Sequence, residues 1–178
     1  METTKFEIVS AQSNINWTGK KVTGAHNGTI TIKSGSLSLK DGKLSNGNFI
    51  IDTTSIVILD VTDPATNAQF AGHLFSEDFF ATDQFPEATF VITAVDQTNE
   101  DNTVITGDLT IKSITHAVNF AADVVVNGNT LTASGKIFID RTKYNMKFRS
   151  GNFFTNLGDN LIYNEFELDV KLTASLTI

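Results

Sequence analysis

The sequence predicts an all-β chain closed into an antiparallel barrel, with one short helix inserted. Three observations carry that reading: apolar and polar residues alternate with period two along most of the 178 residues, turn-forming dipeptides separate the alternating runs, and amphipathic runs of helical period are scarce. In the clearest run, 29–33, Ile30 and Ile32 lie on one side and Thr29, Thr31 and Lys33 on the other. Leu37 and Leu39 extend it, Asp41-Gly42 supplies the two positive-φ positions of a type I′ hairpin, and Leu44 resumes on the return. Further strands are expected over 6–9, 15–19, 48–52, 89–95, 104–112, 117–126, 131–140 and 166–176, with Asn127-Gly128-Asn129 as a second compact turn. Eight or more such strands in an open sheet would leave two edges of unpaired N–H and C=O groups, and closure removes both. A two-sheet sandwich satisfies the same alternation and stays open as an alternative at this point.

The rhythm breaks over 61–80. Asp63 suits a cap, Pro64 suits a first helical turn, and Phe70 and Leu74 fall at i and i+4 on one face. One short helix is expected there, across a barrel end or against the wall. Residues 156–164, with Gly158-Asp159, read as a rim loop. Neither a repeat nor a linker divides the chain, so 1–178 is expected to be a single domain.

Thirteen basic against 20 acidic residues leave a net charge of -7, which repels phosphate backbones, so no nucleic-acid partner is expected. Cysteine is absent, which excludes disulfides and thiolate chemistry. No run approaches the roughly 18 apolar residues of a spanning helix, so no membrane span is expected. The first ten residues carry Glu2, Lys5 and Glu7 without an apolar run. As written, the chain implies a cytoplasmic location; a signal segment removed beforehand would imply the periplasm or another extracytoplasmic space.

The residues that tempt a chemical reading are few. His26, His73 and His116 stand 47 and 43 residues apart with no paired spacing, so no metal site is expected. A G-x-S-x-G elbow and a glycine-rich phosphate loop are both missing, so neither an enzyme nor a cofactor is expected. Asn27-Gly28-Thr29 matches a glycosylation sequon but reads as a turn, with His26 beside it hydrogen bonded to backbone. Asp140-Arg141 fits a rim ion pair, a head-group anchor or a solvated strand end. Arg149, with Lys147, fits a second anion site or simply a wet surface.

Several blocks occur in an order that carries a resemblance: Trp17-Thr18-Gly19-Lys20, then Gly24-Ala25-His26-Asn27-Gly28, then Gly47-Asn48-Phe49-Ile50-Ile51-Asp52-Thr53-Thr54-Ser55-Ile56. The most specific is Gly72-His73-Leu74-Phe75-Ser76-Glu77-Asp78-Phe79-Phe80, followed by Phe85-Pro86-Glu87-Ala88-Thr89-Phe90. Gly107-Asp108-Leu109-Thr110-Ile111-Lys112-Ser113-Ile114-Thr115 and Ile139-Asp140-Arg141 complete the set. Together they resemble the YceI-like proteins, bacterial lipocalin-like barrels associated with polyisoprenoid binding. The resemblance covers most of the chain and departs at 143–151, which is more positively charged than the family pattern.

The resemblance implies an extended eight-stranded antiparallel lipocalin-like barrel, a homodimer, and a long isoprenoid lipid or isoprenoid quinone held in the interior without chemistry. An eight-stranded barrel is wide enough either to be filled by side chains or to hold one slender ligand, so its filling decides the matter. The 14 Phe residues could line a tunnel or pack it shut. If the Phe-bearing face is inside, alternation nominates Phe49, Ile51, Phe90, Ile92, Leu109, Ile111, Phe120, Ile137, Ile139, Phe166 and Leu168 as wall, with Phe70 and Leu74 closing or gating it. His73, Arg141 and Arg149 are the candidates for the rim or head group. A filled barrel would instead suit a stress-linked module that binds a protein partner on its surface.

Overall fold

Alternation turns into strand pairing along most of the described residues. The computed structural model describes residues 3–21, 24–99, 102–146 and 162–177. Its strands are β1 (Thr3–Ile8), β2 (Asn14–Lys21), β3 (Gly24–Lys40), β4 (Lys43–Ile58), β5 (Glu87–Asn99), β6 (Asn102–Ile111), β7 (Ile114–Asn127), β8 (Thr130–Asp140) and β9 (Ile162–Leu176), with helix α1 (Pro64–Phe75) between β4 and β5.

Antiparallel pairing runs β1-β3-β2-β9-β8-β7-β6-β5-β4 and returns through a β3–β4 ladder, so the sheet closes and the sandwich alternative falls. The first two strands share one stave: Phe6 of β1 pairs with Leu37 and Leu176, while Ile15 of β2 pairs with Ile30 and Val170. A 3₁₀ turn at Ser10–Gln12 separates them, held by Ser10 Oγ donating to the Ile32 carbonyl at 2.6 Å. Nine strands therefore make the eight staves of the predicted lipocalin-like barrel.

The strands run longer than alternation alone marked out, because their ends carry polar residues on both faces. On β3 the buried positions change from Ile30 and Ile32 to Leu37 and Leu39. A register shift against β4 between Ile32 and Ser34 accounts for this, since one extra residue flips every later side chain to the other face.

The Asp41-Gly42 hairpin forms with φ of 53° and 82°, and Gly128 turns β7 into β8 at φ 62°. A turn without glycine joins β6 to β7: Lys112 and Ser113 sit at φ 55° and 62°, ending β6 at Ile111, one residue short of expectation. Asp63 caps α1 by accepting from the Thr66 N–H at 3.0 Å, and Pro64 opens its first turn. Asn67 Nδ2 donates to the carbonyls of Ile58 and Val61, both at 3.0 Å, which ties the helix to the end of β4.

Two loop expectations are corrected. Asn27-Gly28-Thr29 lies within β3, and Gly28 is needed there because a Cβ would stand 2.6 Å from the Trp17 indole, against the neighbouring strand. Residues 162–164 of the expected rim loop belong to β9; 156–161 lie outside the described residues.

The interior divides in two along the barrel axis. The half away from α1 is packed by β1, the C-terminal part of β3 and the facing staves, with Phe6, Leu37, Leu39, Phe90, Leu131 and Ala174 each at most 3% exposed. The half under α1 holds a cavity.

Candidate binding cavity

Inward side chains of β2, β6, β8 and β9, among them Ile15, Trp17, Leu109, Ile139 and Leu168, border an open space under α1. The space has a volume of about 480 Å³, far above the roughly 10–15 Å³ that admits one water. Ile51, Leu109, Ile111, Ile139, Phe166 and Leu168 line it from the staves, and Phe70 and Leu74 of α1 lie over it. Exposed Lys20, Thr66, Tyr163 and Glu165 stand at its edge, so the mouth is at the helix end.

Five nominated wall positions lie elsewhere. Phe49, Phe90, Ile92 and Phe120 surround a separate void of about 30 Å³ in the packed half. Ile137, opposite Leu168 in the ladder, is buried at 5% exposure and lines neither space. The physical reason is ring size: Phe49 and Phe90 stack with centroids 5.0 Å apart, and Phe90 meets Phe120 at 5.9 Å, which fills the lumen at that level. A hollow running the length of the barrel is therefore not what the sequence builds.

Wall residues that alternation reasoning passed over include Ile15, Trp17, Ile30, Ile56 and Ala88. Ile15 and Trp17 continue one face of β2, so their periodicity held the signal. Met146, Phe79 and Phe80 also reach the cavity, but they come from turns that carry no period to read.

Two histidines flank the mouth. His26 Nδ1 lies 2.7 Å from the Asp60 carboxylate and its ring packs on Phe70 at 4.8 Å, so the expected backbone partner is corrected to a carboxylate. Burial alone would raise the Asp60 pKa, but the Asn27 N–H and His26 outweigh it and hold the carboxyl below its ordinary value. His73, on the cavity-facing side of α1, sits 3.0 Å from Asp78 and edge-on to Phe79. His116 is elsewhere, paired to the Lys143 carbonyl at 3.0 Å and edge-on to Tyr144.

Arg141 follows Leu131, Ala133, Ile137 and Ile139 in the inward phase of β8, and only 3% of it is exposed. The solvated-strand-end reading is thereby overturned. Its guanidinium donates to the carbonyls of Met146 at 2.6 Å, Ile162 at 3.1 Å and Tyr163 at 3.1 Å, and stands 5.8 Å from the Phe79 ring centroid. Desolvation lowers its pKa, opposed by the charge of Asp140. The Asp140 carboxylate accepts instead from the Thr142 N–H, so the rim ion pair, one of the three readings of Asp140-Arg141, gives way to separate backbone partners for the two side chains. Arg141 lines the cavity; Arg149 and Lys147 lie outside the described residues.

Below the mouth, Lys112 is 8% exposed and donates to the carbonyls of Glu77 and Asn145, both at 3.0 Å, fastening the glycine-free turn to the segment after α1. Burial pushes its pKa down. The Tyr144 hydroxyl is buried without a hydrogen-bond partner among the described residues, and burial pushes its pKa up to about 12.

The described residues thus form a closed antiparallel barrel of lipocalin-like architecture with an apolar cavity covered by a helix. The YceI-like domain matches residues 6–174, and the chain belongs to that family. Protein YceI of Escherichia coli O17:K52:H18 (strain UMN026 / ExPEC) is 32% identical over 111 residues, 62% of this chain and 53% of that protein. A UPF0312 protein of Pseudomonas putida (strain W619) is 36% identical over 84 residues, 43% and 44% of the two chains. The chain thus spans about half the length of the curated relatives it matches. Among solved structures, Burkholderia cenocepacia BcnA superposes with a TM-score of 0.75 at 22% identity, over 94% of this chain and 99% of that one. A polyisoprenoid binding domain from Saccharophagus degradans, implicated in plant cell wall breakdown, gives 0.68 at 12% identity, over 97% and 98%. These two likenesses show the shared fold.

Proposed function

We propose that the chain binds the isoprenoid tail of a lipid, such as an isoprenoid quinone, in the cavity under α1 and sequesters, stores or carries it without changing it chemically. The observation that carries this reading is an apolar volume of about 480 Å³ inside a barrel whose other half is closed. A side-chain-filled interaction module would have no use for such a space. The polyisoprenoid-binding relative of the same fold supports the choice of ligand class.

Burial of hydrocarbon from water is worth about 0.8 kcal/mol per CH₂, so a few isoprene units supply most of the binding energy. A prenyl lipid resting in a bilayer is already shielded, which brings the exchange between membrane and barrel close to balance. That balance suits a carrier. At the mouth, the buried Arg141 cation favours a head group with acceptor oxygens, as in a quinone carbonyl or a phosphate. The two threonine hydroxyls of the cavity are already committed, Thr53 donating to the Phe85 carbonyl at 2.8 Å and Thr66 to Asp63 at 2.6 Å. This supports holding a ligand over attacking it. The family reading also carries a homodimer, which light scattering of the purified protein tests.

The direct test of cargo is mass spectrometry of an organic extract of purified protein. A prenylated lipid at near-stoichiometric amount is expected. Repeated lipid-free extracts from a quinone-producing host would contradict the proposal.

A further inference from the structure

We infer that Phe49, Phe90 and Phe120 form a floor across the barrel that limits the enclosed chain to about three or four isoprene units. This rests on the isoprenoid reading above and adds the length of chain the site accepts.

The three rings come from β4, β5 and β7, and between the last two runs β6. Phe90 can reach Phe120 across β6 because the inward position there is Gly107: a Cβ on that residue would strike the Phe90 ring. Gly135 of β8 gives Phe120 similar room, a Cβ there standing 3.2 Å from the ring. The glycines on neighbouring staves and the rings thus fit one another, and a void of about 30 Å³ lies beyond them. Leu109, directly opposite Phe90 in the ladder, lines the cavity, so the floor begins at its level.

Depth follows from the register. Along β9 the cavity runs from Ile162 at the mouth to Leu168, and the next inward residue, Val170, borders the closed half. Six steps of about 3.3 Å make roughly 20 Å along the strand, and a strand tilt of about 40° reduces that to roughly 15 Å of depth. An extended chain advances about 1.2 Å per bond, so a four-bond isoprene unit takes about 5 Å. Three units reach the floor, and a fourth fits by bending or by resting between Phe70 and Leu74. A longer tail has to leave its remainder at the mouth.

The experiment is a length series of unbranched-head prenols of two to six isoprene units, titrated into the purified chain with Trp17 fluorescence as readout. While the tail still gains cavity, each added unit is expected to tighten binding about tenfold or more; past the third or fourth unit the gain should fall to less than about threefold. In Phe90→Ala the break should move at least one unit longer, and in Phe49→Leu, a milder change kept in case the first variant does not fold, it should move in the same direction. Continued equal gains through six units in the unaltered chain would overturn the floor while leaving lipid binding intact. A break that stays put in a folded variant would overturn the assignment to these rings. No binding of any prenol would overturn the functional reading itself.

Discussion

Arg141 Nη2 donates to the carbonyl of Ile162 at 3.1 Å, across 21 residues of chain, while Nη1 of the same guanidinium donates to Met146. One side chain thereby clasps Met146, after β8, to Ile162 at the start of β9, beside the cavity. Replacing it with methionine removes three charge-assisted bonds and leaves three carbonyls to find other donors. Arg141→Met is expected to lower the unfolding free energy by about 2–4 kcal/mol in urea titrations. Lysine should recover little, because a single ammonium cannot reproduce a planar fork aimed at three carbonyls. Full stability in both variants would refute the clasp.

The Gly107–Phe90 fit makes a second prediction. Gly107→Ala places a methyl group against the ring and 2.7 Å from the Val91 carbonyl, which should cost about 1–3 kcal/mol by overpacking. Phe90→Leu in the same chain should recover part of that loss, a coupling that a double-mutant cycle measures directly. Additive losses would mean that the two residues are not in contact.

Alkaline stability isolates Tyr144. Its folded-state pKa is raised to about 12 from 10.0, so below pH 10 both folded and unfolded forms keep the proton and the contribution is complete. Between pH 10 and 12 the unfolded chain releases the proton while the folded chain holds it, and stability falls as pH rises, by on the order of 3 kcal/mol. Tyr144→Phe should be no less stable than the unaltered chain at pH 7, because the hydroxyl it removes is buried and has no hydrogen-bond partner among the described residues. It should also flatten the alkaline limb of a melting-temperature curve. Parallel curves for the two proteins would contradict this.

Filling the cavity should separate binding from folding. Ala88 is 4% exposed and faces the empty space, so Ala88→Leu adds apolar contact where there is room for it. The melting temperature is expected to hold or rise, while affinity for a prenylated ligand drops about tenfold or more. Unchanged affinity would place the ligand elsewhere.

Much of this molecule was legible as pattern. Period two gave the staves, Asp41-Gly42 gave the first hairpin, and Asp63-Pro64 marked the start of α1 with its cap. Position along the barrel axis was not legible, because alternation says only that Phe49 and Ile51 share a face. Whether an inward residue borders a hollow or a packed layer depends on what four or five distant strands bring to the same level. The Lys112-Ser113 turn was hidden for a different reason: neither residue favours positive φ, and the contacts of Lys112 with Glu77 and Asn145 that hold it there are tertiary. Arg141 stood in plain inward phase with Ile137 and Ile139, but a charged residue at a strand end reads as solvent-facing until its three carbonyl partners are seen.

The chain carries one tryptophan, and Trp17 lies in the cavity wall with its Nε1 donating to the Thr29 carbonyl at 3.2 Å. A short-chain isoprenoid benzoquinone titrated against its emission reports directly on whether that space takes a prenylated molecule. Quenching that saturates at one quinone per chain, and weakens in Ala88→Leu, is the predicted result. Emission that never saturates, or that responds identically in the filled variant, would contradict the claim that this barrel encloses an isoprenoid.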